Sequence, residues 1–183
     1  MLCLSSKSDE KMFFDKFKQV KAFVFDVDGV LSDGKILVTE QGDQLRAFSI
    51  RDGYALQLAV KRGYPIAAIT GGRSMGVKKR LEGLGITDVF LSVNDQYTVF
   101  QAWLAKHGLA EADVLCMGDD IPDLEIMRAV GLPTCPADAV EEVKAISSYI
   151  SVRKGGDGAV RDVIEKVMKL QQTWHKDTFI IRR

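Results

Sequence analysis

The stretch DVDGVLSDG, residues 26–34, crowds Asp26, Asp28 and Asp33 together directly after an apolar run. Like charges so close repel one another unless something positive sits among them. A cation or a reaction therefore belongs at this point of the chain. Two more stretches have the same character. MGDDIPDLEIM supplies Asp119, Asp120 and Asp123, and AITGGRS supplies Thr70 just before Gly71 and Gly72.

Asp and Thr also serve as helix caps and turn residues. That reading suffices for Asp33 or Asp52 taken singly. It does not suffice for a whole set arriving at successive strand ends. A calcium loop is excluded, because an EF-hand beginning at DVDG would put Val30 and Leu37 where oxygen ligands are needed, and no helix precedes it.

The elements that must position these residues follow from hydrophobic pattern. Apolar runs at KAFVFDV (21–27), PIAAIT (65–70), DVFLSV (88–93), DVLCMG (113–118) and YISV (149–152) read as strands. Between them, DGYALQLAVKRG, SMGVKKRLEGLG, QYTVFQAWLAKHG and DLEIMRAVG have helical periodicity, and GDGAVRDVIEKVMKLQQ predicts a final helix. Unbroken strands alternating with amphipathic helices predict a doubly wound α/β fold with a parallel sheet. In such a sheet ligands bind beyond the carboxyl ends of the strands, where the strand order switches. The acids and Thr70 would then share one rim.

KILVTEQGDQLRAFSI (35–50) breaks this alternation. A turn at Gln41, Gly42 and Asp43 with β-type residues on both sides predicts an inserted β-hairpin, too small to be a cap domain. At 183 residues the chain fits one domain, 1–183, with a core over about 20–170 and a tail at 174–183.

Composition narrows the partners. Lys plus Arg and Asp plus Glu both number 25, so no bulk positive field advertises nucleic acid or an anionic membrane. Charges at Lys7, Asp9, Glu10 and Lys11 interrupt any signal-like stretch, and no apolar run is long enough for a bilayer span. A cytoplasmic location is expected. Cys3, Cys116 and Cys135 lack disulfide or zinc spacing and read as reduced thiols, Cys116 in the core. His107 and His175 read as structural or solvated.

With these residues in hand, DVDGVLSDG, AITGGRS and MGDDIPDLEIM resemble motifs I, II and IV of the haloacid dehalogenase superfamily of phosphatases. SIRDGYALQLAVKRG and KGGDGAVRDVIEKV are similar to its capless branch, which includes the 3-deoxy-D-manno-octulosonate 8-phosphate (KDO-8-phosphate) phosphatase family. The resemblance implies hydrolysis of a sugar-acid phosphate through an aspartyl-phosphate, with a place in lipopolysaccharide biosynthesis. It implies Asp26 as nucleophile, Asp28 as acid/base, and Mg²⁺ held by Asp26, Asp119 and the main-chain carbonyl of Asp28. Asp120 and Asp123 would support the metal shell, and Thr70 and Gly71 would hold phosphoryl oxygens. It also implies a homotetramer assembled through residues 35–50.

One position departs from the family pattern. Where the family has a lysine after an aspartate, this chain has Asp95 followed by Gln96, which can donate a hydrogen bond but carries no charge. Arg73 is a candidate replacement that could grip phosphate, and Arg51 or Arg73 could pair with the substrate carboxylate. Three alternatives stay open: a phosphatase for another nonulosonate 9-phosphate, a catalytically weakened oligomerisation or regulatory module, and a phosphoryl-transfer enzyme.

Overall fold

The computed structural model describes residues 14–174. After a helical segment, α1 (14–19), the element order is β1 (Ala22–Phe25), β2 (Leu37–Val38), β3 (Gln44–Leu45), α2 (Ile50–Lys61), β4 (Ile66–Ile69), α3 (Met75–Glu82), β5 (Asp88–Phe90), α4 (Gln96–His107), β6 (Val114–Met117), α5 (Leu124–Ala129), β7 (Leu132–Cys135), α6 (Glu141–Ile146), β8 (Tyr149–Ile150) and α7 (Ala159–Leu170).

Six strands form one sheet in the order β5-β4-β1-β6-β7-β8, every pair parallel. The three central strands are buried throughout, and the period of two divides their side chains between the faces. Phe23, Phe25, Ile66, Ala68, Leu115 and Met117 join one apolar cluster with α2, α3 and α7. Ala22, Val24, Ala67, Ile69, Val114 and Cys116 join the other with α4, α5 and α6. Both faces are thus covered, as a parallel sheet requires.

The chain leaves β1 toward β4 and β5, then returns to add β6 on the opposite side of β1. The switch in strand order therefore lies at β1, where the ends of β4, β1 and β6 sit side by side.

Local caps fix the helices. Ser49, Ser74 and Asp95 accept hydrogen bonds from the main-chain N–H of Asp52, Val77 and Thr98. Asp52 does more: buried in the first turn of α2, it accepts from the main-chain N–H of Gly158 at 3.1 Å and of Arg161 at 2.7 Å. It therefore caps α7 from a distant part of the chain.

Two elements differ from the sequence expectation. β7, Leu132–Cys135, and α6, Glu141–Ile146, were not predicted. Pro133 marks its run as a poor strand because it cannot donate to the ladder, yet the strand forms and the Pro133 carbonyl accepts from the Ser148 N–H at 2.9 Å. α6 is too short for periodicity to reveal.

The hairpin is present, but its pairing is confined to Leu37↔Leu45 and Val38↔Gln44. Gly42 turns it with φ +87°, a left-handed conformation that glycine adopts without a Cβ penalty. Its apolar residues Leu37 and Val38 are 68% and 61% exposed.

Cys116 and Cys135 are buried free thiols. His107 meets Asp88 at 2.7 Å, a structural contact shared with Trp103. Cys3, His175 and the tail beyond Trp174 lie outside the described residues. Among those residues no helix is long and apolar enough to cross a membrane.

Candidate active site

Asp26 directly follows β1, and its main-chain N–H donates to the carbonyl of Met117 at 3.1 Å, tying the ends of β1 and β6 together. The chain then makes a wide turn over Val27–Leu31 in which Gly29 has φ +104°. A Cβ at Gly29 would lie 2.0 Å from Asp119 Oδ2, so this turn can approach the β6 loop only without a side chain.

On the β6 side, Asp123 Oδ2 accepts from the main-chain N–H of Asp119 at 2.9 Å and of Asp120 at 3.3 Å. One carboxylate thereby shapes the loop that carries the other two. On the β4 side, buried Thr70 accepts from the Gly72 N–H at 3.1 Å, which curls the Thr-Gly-Gly turn around the hydroxyl.

Asp26, Asp119 and Asp123 each offer an oxygen within 4.8 Å of the others. Asp119 Oδ1 is buried and has no hydrogen-bond partner among the described residues. Burial, then the neighbouring Asp123 charge, pushes the Asp26 carboxyl well above the usual carboxylate range. Asp119 is pushed up to about 7, first by burial and then by Asp123 and other acids nearby. Burial likewise raises Asp123. Three carboxyls packed together at the floor of a cleft, Asp123 buried and the other two half-buried, with one oxygen unsatisfied, have the chemistry of a hard-cation site.

The cleft over these groups has a volume of about 870 Å³, and Asp28, Thr70, Gly71, Gln96 and Asp120 also line it. Gln96, the first residue of α4, presents a neutral amide there. Two predicted members are elsewhere. Arg73 lines an adjoining pocket of about 670 Å³ between the hairpin and residues 71–76. Arg51, on the first turn of α2, lines a third pocket with Arg153 and Arg161. Neither lines the cleft itself, although the pocket of Arg73 shares Gly71 and Gly72 with it.

The cation that does reach this cluster is one the sequence reading missed. Arg46, just past β3, pairs bidentately with Asp28: Nε to Oδ1 at 2.6 Å and Nη2 to Oδ2 at 2.9 Å. Ser32 Oγ adds a longer contact to Asp28 Oδ1 at 3.4 Å. Nothing local in the sequence announces an ion pair spanning 18 positions; only the strand-like alternation beside the hairpin turn hints that Arg46 faces inward.

Asp33 stays outside the cleft and accepts from the Lys35 N–H in a turn. The GGDG turn at 155–158 has a structural part in the site. A Cβ on Gly155 would lie 1.7 Å from the Gly29 carbonyl oxygen, and the Gly156 N–H donates to the Val30 carbonyl at 2.9 Å. The turn therefore backs the loop that carries Asp26 and Asp28.

No family model matches the chain. It is, however, 35% identical over 156 residues to the Escherichia coli 3-deoxy-D-manno-octulosonate 8-phosphate phosphatase KdsC, covering 85% of this chain and 83% of that protein. The chain belongs to the KDO-8-phosphate phosphatase family. This family of phosphoric monoester hydrolases lies within the haloacid dehalogenase superfamily.

Solved structures agree with that membership. The family's enzyme from Moraxella catarrhalis, crystallised with a magnesium ion, a phosphate ion and a KDO molecule, superposes with a TM-score of 0.86 at 35% identity, covering 90% of this chain and 94% of that one. The Yersinia pestis enzyme gives 0.86 at 33% identity, covering 88% and 87%.

Proposed function

We propose that this family member hydrolyses KDO-8-phosphate to the free sugar acid and inorganic phosphate, using Mg²⁺ and an aspartyl-phosphate intermediate. The observation that carries the reading is the Asp26–Asp119–Asp123 cluster with its partnerless Asp119 Oδ1, set beside the Thr70 turn. The donor set fits the metal: hard anionic oxygens, no nitrogen or sulfur. Asp26, Asp119 and the Asp28 carbonyl would hold it, with Asp120 and Asp123 ordering the loop. Bound Mg²⁺ would neutralise the acids and the incoming phosphate.

An Asp26 carboxylate oxygen attacks phosphorus as the bond to the sugar oxygen breaks. Asp28 gives a proton to the departing alkoxide, then takes one from the water that attacks phosphorus and frees Asp26. Thr70 and the Gly71 turn hold the phosphoryl oxygens, and Gln96 offers them an amide N–H.

The reading extends to a single domain acting as a homotetramer in the cytoplasm. The exposed hairpin residues Leu37, Val38 and Leu45 support assembly, since a short hairpin needs cover for its apolar side chains. The buried free thiols are in keeping with a reducing compartment.

Phosphate release from KDO-8-phosphate and from nonulosonate 9-phosphates, with and without Mg²⁺ and with Asp26→Asn as the blank, tests the reading. Metal-dependent turnover fastest on KDO-8-phosphate is expected; preference for a 9-phosphate would reassign the substrate. Neutral Gln96 favours one competitor, a weakened module. No turnover from folded, metal-binding protein, regained on Gln96→Lys, would support that competitor.

A further inference from the structure

Among the described residues the cleft is lined by seven carboxylates and by no lysine or arginine. A phosphate monoester carries two negative charges, so one divalent ion leaves such a surface strongly anionic. Another cation in reach of the phosphoryl group would relieve that repulsion, and among the described residues Arg46 is the basic side chain that pairs with one of the cleft's acids.

Its geometry reaches further than Asp28. The position that a Cβ on Gly72 would occupy lies 3.6 Å from Arg46 Nη2, 3.4 Å from Thr70 Oγ1 and 3.4 Å from Asp28 Oδ2. A guanidinium, a hydroxyl and a carboxylate thus converge on one space beside the Gly72 backbone. Arg46 Nη2 spends one N–H on Asp28 Oδ2, and its second N–H is available to an oxygen in that space. The remaining contact, Nη1 to the Gln44 carbonyl at 3.4 Å, ties the guanidinium to the hairpin. With its side chain only 5% exposed, Arg46 is held in place before any ligand arrives.

We propose that Arg46 is a substrate-binding residue: it bridges Asp28 and a phosphoryl oxygen seated over Gly72, supplying from the inserted hairpin the positive charge that the cleft lining lacks. This rests on the phosphatase reading and adds a residue to it. The hairpin becomes part of the phosphate site, and Asp28 is aimed at the bond to be broken by the same group that grips the phosphate.

Calorimetric titration of inorganic phosphate into the Mg²⁺-loaded protein tests this without requiring turnover, alongside KM and kcat on KDO-8-phosphate. Arg46→Gln is expected to weaken phosphate binding by about 10- to 10²-fold, the loss of one charged hydrogen bond, and to raise KM in step. Mg²⁺ affinity should be unchanged, and Arg46→Lys should recover part of the loss. Arg46→Gln that binds phosphate as tightly as wild type, whatever its melting temperature, would make Arg46 a strut for the hairpin and overturn the proposal. If Mg²⁺-loaded wild type binds no phosphate, the proposal and the phosphatase reading fall together. Wild type that binds phosphate but hydrolyses no sugar phosphate would sink only the phosphatase reading.

Discussion

Asp119 is the residue whose environment says most about the site. Its carboxyl is raised from an ordinary 3.8 to about 7, so between those values the folded chain keeps a proton that the unfolded chain has released. Without metal, folding stability therefore falls as pH rises through that interval, and raised Asp26 and Asp123 act in the same sense. Asp88 and Asp162, held low by their partners, act oppositely but in more acid solution. Mg²⁺ should consequently raise the melting temperature more at about pH 8 than at about pH 5. An equal rise at both would mean the cation binds elsewhere, and Asp119→Asn should remove most of the effect. Asp123→Ala leaves the Asp119 and Asp120 N–H groups without their acceptor; a Mg²⁺ affinity about 10- to 100-fold weaker is expected by titration.

The turns and strand ends decide whether those acids meet. Gly155 shows how tightly: its missing Cβ leaves room for the Gly29 carbonyl. Gly155→Ala must push two backbones apart, so we expect a loss of about 1–3 kcal/mol in denaturant unfolding and a larger loss of Mg²⁺-dependent turnover. Unchanged turnover would show that the GGDG turn does not support the Asp26 loop. The strands that carry the acids were legible because AFVF, IAAI and VLCM are short, unbroken and apolar. β7 was not, because Pro133 argues against a strand unless its neighbours are known. Arg46 was invisible for a related reason: its partner lies 18 positions away, across the hairpin. Arg51 and Arg73 drew attention by sitting near motifs, yet sequence proximity does not fix the pocket a side chain lines.

Beyond the single chain, the hairpin presents Leu37, Val38 and Leu45 to solvent, 68%, 61% and 51% exposed. The proposed tetramer would bury them. Leu37→Glu with Leu45→Lys should convert a tetramer to smaller species in sedimentation while the far-ultraviolet spectrum stays that of an α/β fold. A double variant that sediments as wild type would move the interface elsewhere. All of this chemistry turns on Asp26 taking the phosphoryl group. Borohydride reduces an acyl phosphate, so quenching a Mg²⁺-dependent turnover of KDO-8-phosphate with borohydride and mapping the product by mass spectrometry tests that claim most directly. The predicted result is homoserine at position 26, absent without Mg²⁺. Full turnover with an unmodified Asp26, or with the reduced residue elsewhere, would contradict it.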